Sequence, residues 1–218
     1  MPAFDDAVLY PLLGAAFLAA FLHAVLPTHW LPFVLVGRGQ GWSPRQTLGA
    51  AALSGLAHVL VTIAAGVLVV LVGIEIDKRF NGALSAISAG LLALIGIYFL
   101  ATRRKGERAV HDQTGPGAPV KRYASDRAAL LSLVAVLAFY PSEAFLPLYL
   151  QGAQYGWSAF VVLSLILAAA TLAGMMLFTS LALMGAARLK LERWERYERV
   201  VLAFVLFALA AMILLWRP

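Results

Sequence analysis

Long apolar runs separated by short polar stretches set the pattern of the chain, and six windows read as candidate spans: 7–36, 48–73, 83–101, 128–150, 158–186 and 200–216. A helix needs roughly 20 apolar residues to cross a hydrocarbon core of ~30 Å, so the pattern predicts an all-α polytopic membrane protein with six transmembrane helices. Two windows are interrupted. In the first, "LHAVLPTHWLPF" (22–33) places His23, Pro27, His29 and Pro32 inside apolar sequence. In the fourth, Pro141 stands just before Glu143. As one helix the first window would be about 45 Å long, too long for the core unless tilted or broken. Pro27 removes a helical hydrogen bond and disfavours helix at Leu26, so a break is predicted between His23 and His29. Six residues of unbroken helix turn the chain by about 600°, which leaves the two histidines on poorly matched faces. Unwinding lets them converge and frees carbonyls, tolerable only where they line a cavity. Pro141 repeats the device in the fourth helix.

A shift of 115 residues lays "WLPFVLVGRGQGWS" (30–43) on "FLPLYLQGAQYGWS" (145–158) without a gap, with seven of fourteen positions identical. This predicts two three-helix repeats, 1–105 and 124–218, joined by a flexible linker at 106–123 that contains "HDQTGPGAPV". His111 lies in that linker and reads as a solvated loop residue. An odd number of spans per repeat inserts the second copy the other way up. Inverted repeats of this kind occur in secondary transporters, whose substrate sits near the midplane on broken helices.

Composition agrees: of 218 residues 62% are hydrophobic and 13% charged, which leaves almost nothing for a soluble domain. "MPAFDDAVLY" lacks the basic start of a cleavable signal, so the first window reads as a retained span. Fourteen of the seventeen basic residues fall in 37–45, 102–127 and 187–199. The positive-inside rule then puts these loops in the cytoplasm and both termini outside, and the basic charge calls for anionic lipid rather than nucleic acid. "LERWERYERV" (191–200) reads as a solvated helical lead-in, with Glu192–Arg196 and Glu195–Arg199 pairs. With no cysteine, disulfides, thiolate metal sites and c-type haem attachment are excluded.

Ionisable groups inside spans mark function, because lipid makes them costly. Glu143 is the one acid of eleven within a window, and His23, His29 and His58 are three of the four histidines. His23, His58 and Glu143 each lie within about a turn of their window's midpoint. Three imidazoles and a carboxylate suit a borderline divalent cation: Ni²⁺, Co²⁺, Zn²⁺ or Fe²⁺. Cu⁺ is disfavoured without cysteine, and Met175 and Met176 read as packing. Thr28, Thr62, Ser142 and Thr171 are the hydroxyls expected along the substrate path, with back-bonding to the helix as the competing role for Thr62 and Thr171. A carboxylate that releases a proton as metal arrives makes protons the candidate coupling ion.

"HAVLPTH" (23–29) resembles the HX4DH signature of the nickel/cobalt permease family, with His23 and His29 at its histidine positions and Thr28 where the family has Asp. By the 115-residue repeat Thr28 pairs with Glu143, the carboxylate in the other half. "SGLAHVLVTIAAG" (54–66) resembles that family's second motif, with His58 as its histidine. The wider resemblance is to the lysine-exporter-like superfamily of six-helix inverted-repeat transporters. It implies a non-enzymatic secondary transporter of a divalent transition metal in a bacterial inner membrane, with nickel or cobalt favoured and a homo-oligomer allowed. The competing readings are an exporter of a small organic or anionic solute, an intramembrane metal-dependent enzyme with Glu143 as base, and a maturation accessory protein.

Overall fold

A computed structural model describes residues 6–80, 84–114, 122–139, 142, 145–185 and 192–215. These residues are mostly helical and contain no strand. In chain order the helices are α1 (Asp6–Val25), α2 (Pro27–Gln40), α3 (Pro44–Phe80), α4 (Leu84–Thr114), α5 (Asp126–Ala138), α6 (Leu146–Gly152), α7 (Gly156–Leu183) and α8 (Glu192–Leu215). A single 3₁₀ turn, Ala153–Tyr155, joins α6 to α7.

Three segments are long and apolar enough to cross a membrane: Tyr10–Gln40, Pro44–Glu75 and Gly156–Leu183, with mean hydropathies of 1.7, 2.6 and 2.4. Ala86–Thr102 and Ala203–Leu215 are shorter apolar helices. The fourth expected span is divided: α5 has 13 residues and α6 has 7, and neither crosses alone. Beyond its apolar part α4 continues to Thr114, because "RRKGERA" consists mostly of good helix formers, so the expected linker begins in helix. Residues 115–121 and Glu143 lie outside the described residues.

The break in the first span falls where Pro27 demands it. Leu26 is extended (φ −53°, ψ 128°), and Pro27 opens α2 at a position where its missing N–H goes unneeded. The chain stays tethered across the kink, as Leu26 N–H donates to the His23 carbonyl (3.1 Å) and His29 N–H to that of Leu26 (2.9 Å). The Trp30 indole N–H donates to the Val25 carbonyl at 2.8 Å, satisfying an acceptor at the broken end of α1.

Packing follows a two-fold pattern. α1 lies on α7 as α5 lies on α3, α2 on α7 as α6 on α3, and α4 pairs with α8. The main core gathers Leu12, Leu92, Leu148, Tyr149, Leu163 and Leu206 from five helices. Polarity is distributed inside out: Ser54, Ser88, Thr171 and Thr179 are buried, whereas Leu68, Leu94, Leu165 and Phe204 are each about two-thirds exposed. An apolar exterior around polar helix contacts is compatible with an integral membrane protein.

At one end a clasp ties the turn after α2 to the start of α5. Asp126 Oδ1 accepts from the Trp42 indole (2.8 Å) and from Gln40 Nε2 (3.2 Å). Gln40 Oε1 accepts from Tyr123 N–H, and Arg122 Nε donates to the Gly39 carbonyl. Gly41, at φ 72°, gives the left-handed turn that presents Trp42 to the carboxylate. Asp126→Ala removes two charge-assisted bonds and a favourable charge at a helix N-terminus. The site is exposed, so the expected loss is about 1 kcal/mol, read as a lowered unfolding midpoint in detergent.

Candidate metal centre

The kink brings together side chains that the linear sequence separates. His23 comes from the last turn of α1, His29 from the first turn of α2, His58 from α3, and Ser142 from the stretch between α5 and α6. All four are buried. The His23 and His29 ring centroids lie 4.3 Å apart and those of His29 and His58 5.4 Å apart, both edge to face, so His29 sits between the other two. One ring nitrogen from each histidine lies within 4.8 Å of the others. A tetrahedral ion with metal–nitrogen bonds of about 2.1 Å needs nitrogens about 3.4 Å apart. The rings are therefore assembled and need to draw in by roughly an ångström to close on an ion.

A hydrogen-bonded chain holds the rings. His58 Nδ1 lies 3.0 Å from the Leu137 carbonyl and its Nε2 lies 3.0 Å from Ser142 Oγ, which in turn lies 3.0 Å from His23 Nε2. Phe145 packs edge to face on His23 at 5.4 Å and fixes its plane. Thr28 Oγ1 meets His29 Nδ1 at 3.3 Å. Two ring atoms, His23 Nδ1 and His29 Nε2, are buried without a hydrogen-bond partner. Leaving a buried polar atom unpaired costs about 1–3 kcal/mol, a cost that a ligand reaching both ring nitrogens would recover. Uncharged nitrogen donors suit Ni²⁺, Co²⁺ or Zn²⁺ and serve Mg²⁺ or Ca²⁺ poorly.

The remaining predicted residues distribute around this centre. Ser142 is at its heart. Thr28 is exposed and reaches the cluster only through His29. Thr62 donates to the His58 carbonyl at 2.8 Å, the back-bonding role weighed for it. Thr171 shows no such bond, and its buried hydroxyl has no partner. Thr62 and Thr171 line a cavity beside His58 with Phe145, Tyr149 and Leu167. Its volume of about 10 Å³ is about the least that holds one water. Sequence reasoning missed the Leu137 carbonyl, since a backbone acceptor has no residue signature. It also missed Phe145, for which a signal existed: the repeat aligns it with Trp30, which works at the other break.

Comparison with known proteins adds no relative: no family model matches the chain, and neither a curated protein nor a solved structure does.

Proposed function

We propose that the chain is a secondary transporter of a divalent transition metal, nickel or cobalt by preference, built as two inverted three-helix repeats. The observation that carries this reading is the convergence of three buried imidazoles, two with an unpartnered ring nitrogen, at a helix break. Metal is the transported substrate, taken by His23, His29 and His58. Alternating access at such a site requires two halves that move against each other. Several features support the duplication. Gly41 and Gly156, related by the 115-residue shift, both adopt left-handed φ, 72° and 84°. The helix pairs α1–α7 and α3–α5 exchange under the same shift. The clasp joins residues 39–42 to 122–126, two of the basic segments assigned to the cytoplasm, so charge and contact agree on their common side.

Two experiments test the reading. Purified protein dialysed against Ni²⁺ or Co²⁺ should retain about one equivalent, and Mg²⁺ at the same concentration should not displace it. Absence of bound transition metal would return the chain to the solute-exporter reading. For the architecture, cysteines placed singly at Ser43 and Ser158 should label with an impermeant thiol reagent from opposite faces, and labelling from one face contradicts the inverted repeat.

A further inference from the structure

Resting on the transport reading, a second conclusion concerns the clasp between the turn after α2 and the start of α5. Both helices reach from the clasp to the histidine cluster. Gln40 stands eleven residues after His29 on α2, and Leu137, whose carbonyl meets His58, stands eleven after Asp126 on α5. At 1.5 Å per residue each rod is about 16 Å long. The space between its ends is apolar: Phe33 and Val36 from α2 and Ala129, Leu133 and Leu137 from α5 belong to one buried core. Trp42 and Tyr123 of the clasp pack against that core. An ion leaving the histidines toward this end meets hydrocarbon that offers it no ligand, so this way out is shut. The clasp is also built at one end only. The 115-residue shift lays Trp42 on Trp157 but Asp126 on Pro11, which has no side-chain acceptor. Trp157 is half exposed and packs on Phe160.

We propose that the clasp is the latch of a gate on this face, the one that the basic segments assign to the cytoplasm. Passage of the ion requires α2 and α5 to part along Phe33, Val36 and Leu133, and the bonds at Asp126 hold them together between passages. Those bonds join the first half of the chain to the second, so breaking them frees one half to move against the other. Their place at an exposed carboxylate keeps them weak enough to break in every cycle. With no equivalent acceptor at the other end, the ion-free molecule favours closure at the clasp.

Two measurements on the full chain test the latch, and the absence of native cysteine permits both. In the first, Val36→Cys reports opening of the seal, and Val70→Cys, buried in the main core on α3, is the control. Asp126→Ala is expected to raise the labelling rate of Val36→Cys by a small thiol reagent about fivefold, the worth of about one hydrogen bond in the closed state. Labelling of Val70→Cys is expected to stay unchanged. Equal acceleration at both positions is general loosening and overturns the proposal, as does no acceleration at either. In the second, Gln40→Cys and Tyr123→Cys are joined in proteoliposomes by a short, reducible bifunctional thiol reagent. Ni²⁺ flux is expected to stop on cross-linking and return on reduction, while the cross-linked protein in detergent still binds about one equivalent. Undiminished flux through the cross-linked protein overturns the latch and leaves transport standing. Absence of flux through the wild-type protein defeats the transport reading and the latch with it.

Discussion

His58→Ala is expected to lower the affinity for Ni²⁺ or Co²⁺ by at least about a hundredfold, because loss of a partner behind a metal ligand already costs about 10–100-fold. His58 is the only histidine of the cluster on α3, and without it the two remaining rings flank a single kink. The substitution also removes a hydrogen bond to the Leu137 carbonyl and leaves the Ser142 hydroxyl with His23. A control separates binding from folding: His58→Asn keeps a side-chain donor for Leu137 but removes the ring lone pair. It should unfold at a temperature close to wild type and still fail to bind metal in equilibrium dialysis. Protons compete with metal for the same lone pairs, so wild-type affinity should fall as the solution is acidified. Wild-type affinity in well-folded His58→Ala would leave His58 a packing residue.

Gly66→Ala is expected to destabilise the protein by about 1–3 kcal/mol even though alanine is the better helix former by roughly 1 kcal/mol. A β-carbon on Gly66 would stand 2.5 Å from Tyr149 Cδ2 and 2.7 Å from Cε2. The ring has nowhere to go: Tyr149 is 1% exposed and packs on Phe160 at a centroid distance of 4.9 Å. The contact joins α3 to α6 beside the cavity next to His58, so the strain would also reach the site. Pairing the change with Tyr149→Leu should recover part of the loss, giving a coupling energy in thermal unfolding that two independent sites would lack. Simple additivity of the two substitutions would contradict the packing described.

The helices were legible wherever hydropathy alone dictates the pattern. Pro27 located the kink between His23 and His29, since it disfavours helix at Leu26. Apolar windows placed α3 and α7 well, but they underestimated α4, whose charged continuation is helical for reasons of propensity that hydropathy does not see. The histidine cluster was legible for a physical reason: imidazoles inside apolar sequence must find partners or a cavity. The manner of their meeting was not. Ser142 is one serine among many, and only the fold carries it to two histidines from α1 and α3. For Thr171 the sequence left two roles open, the substrate path and back-bonding to the helix, and its hydroxyl lines the cavity unpaired. The clasp was equally hidden, since Asp126, Gln40 and Trp42 become neighbours only when distant parts of the chain pack together.

The central claim is that a divalent transition metal crosses the membrane through the histidine cluster, and metal flux into proteoliposomes tests it most directly. Vesicles containing wild-type protein and an internal Ni²⁺- and Co²⁺-sensitive dye should respond within minutes of external ion addition and stay silent to Mg²⁺. Vesicles carrying His23→Ala or His58→Ala, matched for monodisperse protein content, should respond no faster than empty liposomes. Metal entry at the wild-type rate in both variants, or wild-type vesicles no faster than empty ones, would contradict the account.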